Sequence, residues 1–138
     1  MKFVLDTSVM VKLVLPEAHS DKATAIIDDF RRGIHELIAP DFLPIEVSNV
    51  LTKAERNRLI SVGQVEQKLN DVLTNCPQLF PSLPLLARAV QISTSMRKNI
   101  YDCLFLALAE QEGCEFLTAD TKFISNLPGF PIRDLATM

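Results

Sequence analysis

Short, purely apolar runs alternate with amphipathic segments along this chain, and the alternation predicts its secondary structure. Residues 3–5 and 37–39 contain no polar position, which is typical of strands buried on both faces of a parallel sheet. The segments between such runs repeat apolar residues at three- and four-residue spacing, which indicates helices that cover a sheet. The pattern therefore predicts an α/β fold, with helices on both faces of a mainly parallel central sheet of four to five strands.

Turn and capping residues indicate where these elements begin and end. Gly113 ends the most apolar helix, and Ser61 with Gln64 forms a capping-box pair at the start of another. Pro81 limits the third strand to a sheet edge, because proline cannot donate to the hydrogen-bond ladder. The predicted strands are residues 3–5, 37–39, 79–81, 115–119 and 132–135, and the predicted helices are residues 9–15, 21–32, 42–58, 61–75, 84–97, 103–112 and 121–127.

Four carboxylates stand out because of where they fall in this pattern. Asp6 follows the first strand and Asp120 follows the fourth, so both lie at the ligand-binding edge if those strands are parallel neighbours. Glu46 shares a helix face with apolar residues, where a carboxylate needs a cation or hydrogen-bond donors. Asp102 opens a helix that is apolar nearly all round. Simpler interpretations remain open, namely helix caps for Asp6 and Asp102 and an ion pair for Glu46.

A single site would account for all four positions. Carboxylates that share one cavity raise each other's pKa unless a divalent cation neutralises them. An all-oxygen set of donors suits Mg²⁺ or Mn²⁺ and not zinc. The chain's three cysteines form no C-x-x-C pair, which argues against a thiolate metal site and against a disulfide framework.

Length and charge narrow the class of protein. The 138 residues predict a single domain over residues 1–138. No apolar run approaches the roughly 18–20 residues of a membrane span, so we expect a cytoplasmic protein with no membrane contact. The net charge of −3 does not favour nucleic acid binding. Local basic pairs such as Arg97-Lys98 could contact phosphate or simply lie at helix C-termini.

Four segments, taken in order, resemble the successive motifs of PIN domains, most of all the VapC-like ribonuclease toxins of type II toxin–antitoxin systems. They are FVLDTS at residues 3–8, EVSNVL at residues 46–51, YDCLFLALAE at residues 101–110 and LTADTKF at residues 117–123. The resemblance implies a PIN-like three-layer α/β/α sandwich. It also implies a metal-dependent endoribonuclease that hydrolyses RNA phosphodiester bonds, with Mg²⁺ or Mn²⁺ activating water and offsetting negative charge.

The resemblance also assigns roles to particular residues. Ser8 and Thr118 would orient a carboxylate or a water from just behind the site. Many relatives carry a further acidic or amide residue shortly after the fourth aspartate, and here Asn126 is the one nearby candidate, which leaves open whether one metal ion or two are bound. The catalytic and metal-binding quartet would be Asp6, Glu46, Asp102 and Asp120.

The resemblance implies partners as well. The expected partners are an RNA substrate, a cognate antitoxin and a second copy of the chain in a homodimer. The alternative is a non-catalytic PIN-fold interaction module that binds RNA or a partner peptide. Loss of one of the four acids would favour that module, and all four are present. We therefore predict the nuclease.

Overall fold

A computed structural model of the chain describes residues 1–125 and 127–138, and its strands form one sheet. The strands are β1 (Lys2–Leu5), β2 (Glu36–Pro40), β3 (Gln78–Phe80), β4 (Glu115–Thr118) and β5 (Ile132–Asp134). They lie in the order β3-β2-β1-β4-β5, and every neighbouring pair is parallel. The prediction of an α/β fold with a parallel central sheet is confirmed, and β3 lies at an edge as Pro81 indicated.

Helices flank this sheet. They are α1 (Thr7–Val11), α2 (Ser20–Arg31), α3 (Leu43–Arg56), α4 (Val62–Thr74), α5 (Leu86–Met96), α6 (Ile100–Glu112) and α7 (Thr121–Ser125). The predicted capping box at Ser61 and Gln64 is present in full. The fifth helix was predicted to begin at Pro84, but residues Leu83–Leu85 form a 3₁₀ turn before α5 begins. Among the described helices, none is both long enough and apolar enough to cross a membrane.

Helix α6 forms the centre of the core. It packs on β1, β2 and β4 and against α5, and residues 103–109 are all buried. The ring of Phe105 stacks on that of Phe116 in β4, with 5.4 Å between ring centroids. Gly113 ends the helix with φ +61°, a conformation that costs glycine little. This packing holds the first turn of α6 beside the carboxyl ends of the central strands.

The pairing of β1 with β4 brings two distant parts of the sequence together. Leu5 lies opposite Leu117 in the register, and the backbone N–H of Asp6 donates to the carbonyl of Leu117 over 3.0 Å. Because the strands are parallel, the residues that follow them leave the sheet at the same edge. Asp6 and Asp120 therefore lie at one edge, which is the condition that the sequence analysis left open.

Candidate active site

Asp6 is a buried carboxylate at the end of β1, with only 9% of its surface exposed. Its side chain makes no capping bond to α1, so the simpler interpretation as a helix cap is not what the structure shows. Instead its Oδ2 accepts hydrogen bonds from the hydroxyls of Ser8 (2.6 Å) and Thr118 (2.8 Å). Burial is the main cause that raises the pKa of Asp6, while these two bonds lower it and the charge of Asp120 raises it.

The two hydroxyls also tie Asp6 to the end of β4. Ser8 Oγ accepts from the backbone N–H of Ala119 over 3.1 Å, and Thr118 Oγ1 accepts from the N–H of Asp120 over 3.1 Å. Each hydroxyl therefore donates to the carboxylate and accepts from the backbone, so its proton has a defined direction. Hydrogen bonds of this kind fix the orientation of a ligating carboxylate. Asp6 is accordingly held rigidly, as an active-site group needs to be.

Removal of one of these hydroxyls tests their role. If the chain is the ribonuclease that the resemblance implies, Ser8→Ala should lower its rate of RNA cleavage about 10- to 100-fold, because Asp6 loses a donor and Ala119 loses an acceptor. The lost bond raises the pKa of Asp6 further, so the acidic limb of the pH–rate profile should move to higher pH. Ser48→Ala is the matched control, since the hydroxyl of Ser48 donates within its own helix, to the carbonyl of Pro44. Wild-type rates in Ser8→Ala over the whole pH range would contradict the role.

Glu46 lies in the first turn of α3 and is half-buried. Its Oε1 accepts a hydrogen bond of 2.7 Å from the hydroxyl of Thr7. Burial raises the pKa of Glu46, the bond from Thr7 lowers it, and the charge of Asp6 raises it. Glu46 is therefore oriented toward the end of β1 by a hydroxyl donor.

Asp102 lies in the first turn of α6, but it is not the residue that caps this helix. The cap is Asn99, whose side chain accepts from the backbone N–H of Tyr101 over 2.7 Å. Burial is the largest cause that raises the pKa of Asp102, to about 6, and it is followed by the charges of Asp6, Glu46 and Asp120 in that order. The positive charge of Lys98 acts in the opposite direction. Asp102 is thus the carboxylate that responds to all three others.

Asp120 is the most exposed of the four and has two roles. Its Oδ1 accepts from the backbone N–H of Phe123 over 3.2 Å, so it caps the short helix α7. Its charge also raises the pKa of both Asp6 and Asp102. A capping role and a place in the carboxylate cluster are therefore compatible at this position.

The sequence and the fold of the chain can be compared with those of known proteins. A family model described as the PIN domain matches residues 3–126. The chain belongs to the PIN domain family. The match spans all four carboxylates, and it confirms the resemblance on which the sequence analysis relied.

Individual relatives of this PIN domain are similar over nearly their whole length. Ribonuclease VapC3 of Pyrobaculum aerophilum is 28% identical over 134 residues, which cover 93% of this chain and 96% of that protein. VapBC2 of Rickettsia felis, solved bound to a DNA fragment from its promoter, superposes with a TM-score of 0.71 at 16% identity, covering 97% of this chain and 98% of that chain. A toxin–antitoxin complex from Klebsiella pneumoniae superposes with a TM-score of 0.62 at 17% identity, covering 96% and 97%.

The donor chemistry of this PIN domain fits a hard divalent cation. The charges of Asp6, Glu46 and Asp120 all raise the pKa of Asp102 at one edge of the sheet, and carboxylate oxygens are the ligands that Mg²⁺ and Mn²⁺ prefer. Among residues 1–125 and 127–138, no three aspartate, glutamate, histidine or cysteine side chains converge closely enough to hold one ion. The site as described is thus an open carboxylate cluster with the right donors.

Three residues of the site lay outside the sequence-based assignment. Thr7 orients Glu46, although the sequence analysis gave it no role beyond its place in the segment at residues 3–8. Lys98 lies near Asp102 and over the ring of Phe123, 5.8 Å from its centroid. Asn99, and not Asp102, caps α6. The run Asp6-Thr7-Ser8 was the available signal for Thr7, while the other two depend on tertiary contacts. Asn126, the candidate for a further ligand, lies outside the described residues.

Proposed function

We propose that this PIN domain is a metal-dependent endoribonuclease that hydrolyses RNA phosphodiester bonds. The observation that carries the proposal is the rigidly held Asp6, which two hydroxyls orient and which shares its edge of the sheet with three other carboxylates. Further support comes from the similarity to a protein named Ribonuclease VapC3 along nearly the whole length of both chains. Carboxylates placed together in this way repel one another, which is not expected of residues that serve only to stabilise the fold.

The acidic quartet Asp6, Glu46, Asp102 and Asp120 would hold Mg²⁺ or Mn²⁺. Because both hydroxyls bond Oδ2 of Asp6, we expect its Oδ1 to bind the cation. A divalent cation bound here supplies Lewis-acid activation of water and offsets the negative charge that develops on the phosphate. Thr7 holds Glu46 in place as a second ligand or as a partner through water.

Asp102 would contact the water that attacks the phosphate. It lies beside the three other carboxylates, whose charges together with burial raise its pKa to about 6 in the metal-free protein, and its oxygens could accept a hydrogen bond from that water. Attack in line with the leaving 3′-oxygen would yield a 5′-phosphate and a 3′-hydroxyl. We assign Asp6 and Asp120 as the most direct ligands, with Glu46 and Asp102 as ligands or as partners through water.

We further infer that the chain is the toxin of a toxin–antitoxin pair. The support is the superposition on a toxin–antitoxin complex over 96% of this chain. The proposed partners are therefore a cognate antitoxin protein, the RNA that is cleaved and a second copy of the chain in a homodimer. A co-purification of the chain with the product of the neighbouring reading frame would test the antitoxin.

Cleavage of a mixed pool of structured RNAs tests the nuclease directly. We expect cleavage by the purified protein with Mg²⁺ or Mn²⁺ and none with a chelator, with restoration when the cation is added back. Mapping of the ends should give 5′-phosphates. Cleavage that persists in chelator would contradict the metal dependence. No cleavage in any condition, together with no metal binding by calorimetry, would favour the non-catalytic interaction module.

A further inference from the structure

A cavity of about 350 Å³ lies beside the carboxylate cluster, between the start of α3 and the start of α6. Its lining comes from one face of α3 and its N-cap residue, at positions 42, 45, 46 and 49, together with the first turn of α6. The i, i+3, i+4 and i+7 spacing places these α3 side chains side by side. The lining residues are Phe42, Ile45, Glu46, Asn49 and Tyr101.

Tyr101 gives the cavity an aromatic wall that is already held in place. Its ring meets that of Phe42 edge to face, with 5.4 Å between centroids and an angle of 73°. Phe42 in turn meets the buried ring of Phe105 at 5.3 Å. Tyr101 nevertheless remains 51% exposed. A ring that packs against the core on one side and is exposed to solvent on the other can stack on a planar ligand.

The cavity adjoins the proposed reaction centre through two residues. Glu46 belongs to both, because it lines the cavity and its charge raises the pKa of Asp102. Tyr101 precedes Asp102 in the same helical turn. A group seated against Tyr101 therefore lies beside the first turn of α6, which also carries Asp102.

The charge and chemistry of the lining select which part of a nucleotide enters. Among the lining residues that the structure describes, none is positively charged and able to pair with a phosphate, so the neutral base is the part that fits. Ile45, which is 71% exposed, offers apolar contact, and the amide of Asn49 can both donate to and accept from a base edge. Single-stranded RNA is commonly recognised by such a combination of stacking and edge hydrogen bonds.

We propose that this cavity is a nucleobase subsite, in which Tyr101 stacks on the base next to the scissile phosphate of single-stranded RNA. The proposal rests on the proposed nuclease function and adds a residue that positions the substrate. It predicts that bases, and not phosphates alone, are needed to fill the cavity. Tyr101→Ala should bind single-stranded RNA about 5- to 100-fold more weakly, whereas Tyr101→Phe keeps the ring and should bind like wild type.

The chain itself supplies the probe. Tyr101 is its single tyrosine and it has no tryptophan, so tyrosine emission reports on this ring alone. Fluorescein-labelled 12-nucleotide oligouridylate and oligoadenylate would be titrated in Ca²⁺, with a gel after each titration to verify intact RNA. We expect the anisotropy of the label and the quenching of Tyr101 to saturate together. An abasic 12-mer with the same phosphates should leave the tyrosine emission unchanged.

A relocated tyrosine provides the matched control. The double variant Tyr101→Phe with Ile34→Tyr moves the fluorophore to an exposed position just before β2, at the amino ends of the strands and away from the carboxylates. Its emission should not respond to RNA. Bound RNA with unchanged Tyr101 emission overturns the subsite and would assign the cavity to something other than a base, such as a partner's side chain. Equal quenching in the relocated variant or by the abasic strand also overturns it.

The outcomes separate this proposal from the nuclease itself. If the wild-type chain cleaves RNA with Mg²⁺ or Mn²⁺ but Tyr101 does not respond, the subsite is wrong and the nuclease stands. If Tyr101 responds to RNA but no RNA is cleaved, the subsite stands and the nuclease is wrong. If RNA is neither bound nor cleaved, both are wrong.

Discussion

Asp6→Asn is expected to reduce the rate of metal-dependent RNA cleavage by at least about 10³-fold, which corresponds to about 4 kcal/mol of lost transition-state stabilisation. The amide has nearly the shape of the carboxylate, and its oxygen can still accept from Ser8 and Thr118. What it lacks is the negative charge that would bind the cation. The loss should therefore appear in activity and in metal affinity by calorimetry, while circular dichroism shows an unchanged fold.

The companion variant Asp120→Asn should also abolish cleavage, because asparagine can still cap α7 but cannot bind the cation with a full charge. Asp71→Asn is the matched control, since it makes the same change at an exposed position on α4. Cleavage at the wild-type rate by Asp6→Asn or by Asp120→Asn would show that the residue in question has been assigned the wrong role. A comparable loss in Asp71→Asn would point to an effect of net charge alone.

Asp102→Asn is expected to stabilise the metal-free protein at pH 7.5, to stabilise it less at pH 5, and to leave it nearly unchanged at pH 3.5, below the pKa of the carboxyl in the unfolded chain. The raised pKa of Asp102, about 6, means that the folded chain binds more protons than the unfolded chain between about pH 4 and 6. The free energy of unfolding of wild type therefore falls as pH rises through this window, by about 1–2 kcal/mol from this group after allowance for solvent screening. The amide has no charge to repel its neighbours, so this loss disappears.

Thermal unfolding in chelator measures this effect. At pH 7.5 the midpoint of Asp102→Asn should lie about 3–8 °C above that of wild type. Addition of Mg²⁺ or Mn²⁺ should stabilise wild type more than the variant, because the cation neutralises the repelling carboxylates. A midpoint for Asp102→Asn at or below that of wild type at pH 7.5 would mean that the four carboxylates do not destabilise the metal-free fold.

Much of the fold was predictable because its signals are local. Residues 3–5 and 37–39 are apolar without interruption. This is the composition expected of a strand that helices cover on both faces, because both sets of its side chains are buried. The capping box at Ser61 and Gln64 is a contact between residues three apart, so its sequence signature is sufficient to start α4. The predicted ends of helices were less exact where a 3₁₀ turn and an α-helical turn are both compatible with the local sequence. At Pro84, for example, a 3₁₀ turn replaces the predicted first turn of the helix.

The candidate site was predictable only as a set of residue types. Asp6 and Asp102 could each be read as a helix cap, and no local pattern distinguishes a cap from a ligand. The difference lies in contacts between remote residues: Thr118 donates to Asp6 across 112 positions, and Thr7 donates to Glu46 across 39. The cap of α6 is Asn99, whose side chain accepts from the backbone N–H of Tyr101.

By itself, therefore, the sequence determined the class of fold, most of its elements and the four acids placed at element ends. The periodicity of apolar residues and short-range capping contain that information, because both act within a few positions of the chain. The order of the strands was decided only in the tertiary structure, and this order places β1 beside β4 and so Asp6 near Asp120. The same holds for the pKa of Asp102 and for the cavity at Tyr101, because burial and charge repulsion depend on which distant side chains meet.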